Sequence, residues 1–317
     1  MAELRYSELP HGITCIDTWL KRPGLAACYL IRSGDHYGFI DTGTPNSVPF
    51  LLELLQRKNI AVDQVSHVMP THVHLDHAGG TGALMQALPK ARLVVHPRGA
   101  RHMIDPAKLE AGALAVYGHA TFEKLFGRLV PVDASRVIEA GDGYQLDFHG
   151  RPLQFIHTPG HARHHYVVHD SLSQGLFTGD TFGASYPELN GGRRPFIFPP
   201  TTPIQFEPQV WQATLDHLLA LEPRRIYVTH YGMHPEPDKL AVQLKDAINE
   251  YVEIALDLEQ VPSRGEAITQ ALLNYSINTL QDAGCMLSPE AMTEVLLDDM
   301  ALNAQGLDYW LSHGRVA

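Results

Sequence analysis

Hydrophobic and polar positions alternate in short runs over the first forty residues. ITCIDTWL and AACYLIRSGDHYGFIDTG, broken by the Ser33-Gly34-Asp35 turn, predict antiparallel strands from Ile13 to Asp41. The period then lengthens. Val48 to Arg57 has helical spacing, and VSHVM, Val65 to Met69, reads as a buried strand that runs into a histidine-rich segment. A helix at Thr81 to Leu88, a strand at Arg92 to His96 and a helical region from Arg98 to Phe126 follow. Strand patterns resume in RVIEAGDGYQLDFHGRPLQFIHT and HHYVVHDSLSQGLFTGDT. This order predicts sheets covered by helices.

From Tyr186 to Pro208 neither period holds. The stretch is rich in Pro, Gly and aromatic residues, and a loop this long inside a compact domain is a candidate wall for an active site. Phe196 and Phe198 alternate within it as an inward face would, and Arg193 and Arg194 offer cations. A helix at Pro208 to Leu221 and a strand at Arg225 to Thr229 come next. Beyond Pro235 the pattern is helical, near Asp238 to Leu258, Ser263 to Ala283 and Pro289 to Asn303. The expected division is therefore a catalytic domain over 1–236 and a helical extension over 237–317. Ala267, Leu272, Ile277 and Leu280 form an apolar stripe that fits intramolecular packing and leaves room for a homodimer.

Composition narrows the function. The net charge of -11 disfavours a surface that follows a phosphate backbone, so a small-molecule substrate is expected and nucleic acid is not. No run approaches the ~20 apolar residues of a membrane span, and residues 1–6 lack the pattern of a signal peptide. A cytoplasmic location, without membrane attachment, is the expectation. Cys15, Cys28 and Cys285 are too scattered for a disulfide framework or zinc ribbon and read as small apolar residues.

The strongest chemical signal is Thr71-His72-Val73-His74-Leu75-Asp76-His77-Ala78-Gly79-Gly80, with three imidazoles and a carboxylate in six residues. Such donors suit zinc, iron and manganese. His72 and His74, two apart on an extended segment, project to one side, and Asp76 and His77 turn toward a helix start at Gly79-Gly80. Three further candidates each follow an apolar strand: His161 in TPGH, Asp180 in FTGDT and His230 in VTHYG. Tyr231 beside His230, Tyr186, Arg193 and Phe196 are candidate substrate contacts. His164 and His165 lie close to His161, with structural roles expected.

With these residues the chain resembles the metallo-β-lactamase superfamily, whose signature is Thr-His-x-His-x-Asp-His followed by His, Asp and His. The resemblance spans about residues 12–235 and fills all seven ligand positions. It implies an α/β fold, a four-layered αββα sandwich with the site at one edge, here with a C-terminal helical extension. It implies that His72, His74 and His161 hold one divalent ion, that Asp76, His77 and His230 hold a second, and that Asp180 bridges them. Zinc is the first expectation for the pair, with iron or manganese as alternatives. The resemblance also makes Asp41, in Asp41-Thr42-Gly43, the aspartate that supports the metal-binding loop.

Two such ions share a water, lower its pKa and leave a hydroxide aimed at an electrophile, with Asp76 and Asp180 as the catalytic carboxylates. Aspartate at position 180, where zinc β-lactamases usually carry cysteine, turns the resemblance away from antibiotic hydrolysis. His74 and His77 turn it away from the oxygen-reducing branch. It points instead to glyoxalase II, the quinolone-signal thioesterase and the acyl-homoserine lactonases. Ester or thioester hydrolysis is the expected reaction. A lactonase, a phosphodiesterase and a regulatory member with weak turnover are the alternatives.

Overall fold

The computed structural model describes residues 3–192, 194–201 and 203–313. The chain divides into two compact units, one of residues 3–157, 164–179 and 229–233, the other of residues 158–163, 180–228 and 234–313.

The first unit begins with β1 (Tyr6–Leu9), β2 (Ile13–Asp17), β3 (Ala27–Ser33) and β4 (His36–Ile40), which pair antiparallel in sequence order. Ser33 faces His36 in the register, so Gly34-Asp35 makes the tight turn that the sequence predicts. After β4 the connections become helical and the pairing parallel, because a parallel neighbour needs a crossover. Helix α1 (Val48–Arg57) leads to β5 (Val65–Met69), and α2 (Leu75–Ala78) and α3 (Thr81–Ala87) lead to β6 (Arg92–Val95). Helices α4 (Pro97–Ile104), α5 (Ala107–Tyr117) and α6 (His119–Leu125) then precede β7 (Val137–Glu139). These strands form one seven-stranded sheet, β1 to β7 in order. One of its faces is covered by helices: Leu51, Leu54 and Leu55 of α1 and Leu84 and Met85 of α3 share a core with Phe39, Val65, Val68 and Leu93.

The second sheet runs β13-β12-β11-β10-β9-β8. Its strands are β8 (Tyr144–Phe148), β9 (Arg151–His157), β10 (Tyr166–Asp170), β11 (Gly175–Ala184), β12 (Arg225–His230) and β13 (Gly232–Pro235). Within the first unit it faces the first sheet. The Tyr166 hydroxyl of β10 donates to the Val94 carbonyl of β6 at 2.8 Å, and Tyr29 meets Phe177 edge to face. Arg151, only 1% exposed, makes two bonds to Asp170 at 2.9 and 2.5 Å and donates to the His11 and Arg32 carbonyls at 2.9 Å each. The planar guanidinium thus offsets the desolvation of a buried carboxylate and ties the two sheets together.

In the second unit α7 (Pro208–Leu219) lies on β11, where buried Trp211 donates Nε1–H to the Thr181 carbonyl at 2.7 Å. Helices α8 (Pro237–Asp257), α9 (Arg264–Ala283) and α10 (Pro289–His313) follow, and α9 packs on α10. The buried face of α9 carries Ile268, Leu272, Ser276 and Leu280, whereas Ala267 and Ile277 are half-buried. The expected stripe is therefore turned by about one residue. Helix α10 runs well past Asn303, because Gly306 sits buried within it instead of ending it. Strands β1 and β13 were not expected; each is four residues long and shows no clear alternation. No helix among the described residues is long and apolar enough to cross a membrane.

Candidate metal centre

In the first unit the carboxyl end of β5 delivers the histidine-rich segment. His72 Nε2 and His74 Nδ1 lie 2.8 Å apart, so the two imidazoles turn toward one point, as their spacing predicts. His74 then becomes the N-cap of α2, which carries Asp76 and His77 on a single turn. Gly79 closes that turn and Gly80 opens α3; a Cβ at Gly80 would stand 2.8 Å from the Thr44 carbonyl oxygen. The close approach matters because the 42–44 segment clamps the turn. Thr42 N and Oγ1 both donate to the His77 carbonyl, at 2.7 and 2.9 Å, and Gly80 N donates to the Gly43 carbonyl at 2.8 Å.

His230 arrives at the end of β12, in the same unit. Its Nε2 lies 3.3 Å from Asp76 Oδ2, and the donor atoms of Asp76, His77 and His230 all fall within 4.8 Å of one another. The other ring nitrogen of His230, Nδ1, sits 2.8 Å from the Leu25 carbonyl oxygen. A carbonyl accepts only, so Nδ1 carries the proton and Nε2 keeps its lone pair.

Asp41 holds this group together. Its Oδ1 accepts from Thr71 N at 2.7 Å and Thr71 Oγ1 at 3.0 Å, and its Oδ2 accepts from Thr229 Oγ1 at 2.7 Å and lies 2.9 Å from His77 Nδ1. Thr71 and Thr229 each stand one residue before a histidine of the set. Asp41 is 1% exposed and has φ of +57°, a left-handed conformation that costs a non-glycine residue about 1–3 kcal/mol. Aspartate tolerates that region better than most residues. His165, fully buried, stacks on His72 with ring centroids 4.7 Å apart, and the half-buried His164 lies parallel to His72 at 6.0 Å.

The second unit brings His161 and Asp180 together, with Nε2 and Oδ2 3.2 Å apart. The His161 loop is seated on α7: Thr214 Oγ1 donates to the Pro159 carbonyl at 2.8 Å, and the His161 ring meets Trp211 edge to face. Gly160 has φ of +127°, and a Cβ there would lie 2.4 Å from that of Trp211, so glycine is required. His161 Nδ1 sits 2.8 Å from the Pro200 carbonyl oxygen, which leaves Nε2 for Asp180 or a cation. The outer nitrogens of His77, His161 and His230 are thus all engaged by fixed acceptors. The donor types and ring orientations fit divalent transition metals.

The expected substrate contacts are distributed differently. Tyr186 is 2% exposed; its hydroxyl donates to Asp299 of α10 at 3.1 Å and its ring meets Phe198. Phe196 is buried and stacks with Phe198. Tyr231 is half-buried, with its hydroxyl hydrogen-bonded to Asp17 and to the Cys15 sulfur; burial, then those two groups, push the phenol well up. Arg194 is exposed, and Arg193 lies outside the described residues. Sequence reasoning missed the Leu25 and Pro200 carbonyls, since any residue supplies a carbonyl. The repeated Thr-His pair was a usable sign of the two threonines on Asp41.

Comparison with known proteins agrees with this geometry. A family model described as metallo-beta-lactamase superfamily matches residues 22–230. A metallo-beta-lactamase fold-containing protein of Sulfurisphaera tokodaii is 28% identical over 241 residues, 74% of this chain and 84% of its own. A hydroxyacylglutathione hydrolase of Aeromonas hydrophila is 30% identical over 227 residues, 68% of each chain. Among solved structures, a metallo-beta-lactamase family protein from Thermus thermophilus superposes with a TM-score of 0.67 at 21% identity, covering 98% of this chain and 96% of its own. That likeness shows the fold.

Proposed function

Because this chain belongs to the metallo-beta-lactamase superfamily, we propose that it is a binuclear metal-dependent hydrolase acting on carboxylic ester or thioester bonds. In this reading His72, His74 and His161 would hold one divalent ion, Asp76, His77 and His230 would hold the other, and Asp180 would serve both. Zinc is the first assignment, with iron or manganese as alternatives. The observation that carries it is the common state of His77, His161 and His230. Each has Nδ1 against a fixed oxygen, which leaves Nε2 as a lone-pair donor.

Two bound ions would supply an activated water and a Lewis acid for the carbonyl oxygen. The chain's own part is to orient. The carboxylates of Asp76 and Asp180 would accept hydrogen bonds from the attacking water and one of them its proton, and the buried Asp41 keeps His77 in the tautomer that the site needs. The choice of bond is supported by the Aeromonas relative, a hydroxyacylglutathione hydrolase, whose named substrate carries an acyl group on a thiol peptide.

Asp180→Ala tests the reading. Ester and thioester hydrolysis should disappear while the fold is retained. Unchanged turnover, or turnover confined to lactones or phosphodiesters in the unaltered protein, would replace the proposed reaction. A cellular role that survives Asp180→Ala would point to a regulatory member.

A further inference from the structure

Asn303 lies in the third helix after Pro235, far along the chain from every candidate ligand, and is 2% exposed. Besides a bond to the Tyr251 side chain, its amide and its backbone carbonyl engage one short segment. Oδ1 accepts from Thr201 N at 2.7 Å, Nδ2 donates to the Pro199 carbonyl at 3.1 Å, and its own backbone carbonyl accepts from Thr201 Oγ1 at 3.1 Å. Between Pro199 and Thr201 stands Pro200, whose carbonyl oxygen faces His161 Nδ1 at 2.8 Å.

We propose that Asn303 is a positioning residue for the metal centre: through the 199–201 segment it fixes the carbonyl that sets the tautomer and direction of His161. This gives α10 a role in the chemistry and rests on the binuclear reading above. An amide is suited to the task because it donates and accepts at once. Pro199 and Pro200 have no N–H, so the segment supplies one backbone donor, Thr201 N, and it is spent on Asn303. With Asn303 shortened, buried Thr201 N and the Pro199 carbonyl lose their partner, and the Pro200 carbonyl loses the brace that aims it. An aspartate would keep the bond from Thr201 N and lose the one to Pro199.

The test is a two-site zinc titration of the full chain against a chromophoric chelator, with a ¹⁵N spectrum of the histidine rings. Asn303→Ala should weaken one of the two zinc affinities by about 10–100-fold, the usual range for a partner of a metal ligand. The other affinity should change by less than about threefold, and the His161 Nδ1–H signal should be lost or shifted. Asn303→Asp should fall between, which keeps the test open if the alanine variant does not fold. Leu296→Ala, a core truncation in the same helix, should lower stability and leave both affinities alone. The proposal is overturned if a folded Asn303 variant keeps both affinities, loses both alike, or behaves as Leu296→Ala does. A parent protein that does not take two zinc ions would overturn the binuclear reading as well, whereas two ions in the parent with indifferent Asn303 variants would overturn this inference alone.

Discussion

Asp41 Oδ2 lies 2.9 Å from His77 Nδ1, with both side chains buried, 1% and 0% exposed. The same carboxylate takes three bonds from Thr71 and Thr229. It therefore joins the segment after β5 to the end of β12, which between them carry Asp76, His77 and His230.

Asp41→Ala should be among the most damaging single changes. It leaves buried donors of Thr71 and Thr229 without an acceptor and frees the His77 ring, at a cost on the order of 3–5 kcal/mol. Urea unfolding should show that loss, and zinc competition should show weaker binding even at temperatures where the variant is folded.

Gly179 stands directly before Asp180 with φ of +48°. A Cβ there would come within 2.5 Å of His165 Nε2 and 2.6 Å of Thr71 Oγ1. Gly179→Ala combines left-handed strain with overpacking, so a loss of about 2–4 kcal/mol is expected. Because Thr71 serves Asp41 and His165 stacks on His72, metal affinity should fall with it. Thermal unfolding with and without zinc separates the two effects.

On β5, ahead of the histidine-rich segment, Ser66 Oγ lies 2.9 Å from His67 Nδ1 and 3.1 Å from His149 Nε2, and His149 stacks on His36. Burial, then the charges of His149 and Arg92, lower the His67 pKa from 6.5 to about 4. The folded state then binds fewer protons than the unfolded chain between those values. Stability from this group is complete above pH 6.5, falls as the pH drops toward 4 and levels below it. Denaturation of chelator-treated protein across this range should show a shallower decline for His67→Gln than for the parent, and equal slopes would contradict the assignment.

Much of this was legible in the sequence for reasons that particular residues make plain. Val48–Arg57 and Val65–Met69 form the predicted helix and strand because their apolar periods agree with their burial. His72 and His74 meet because a spacing of two on extended chain allows little else. The rest depended on partners remote in the chain. The 186–208 loop has no period, yet the Ala184–Phe198 bridge and the bond from Ser185 Oγ to the Phe196 carbonyl hold Phe196 and Phe198 to the end of β11. Tyr186, marked by its chemistry as a substrate contact, instead reaches Asp299. That pairing spans over a hundred positions and has no local signal.

The central claim is that the seven residues bind two ions that the hydrolysis needs. The most direct measurement is elemental analysis of the purified protein, run beside ester and thioester hydrolysis before and after chelation. The account predicts close to two metal ions per chain and activity that chelation removes and metal restores. Fewer than one ion after careful reconstitution, or hydrolysis indifferent to chelation, would contradict it.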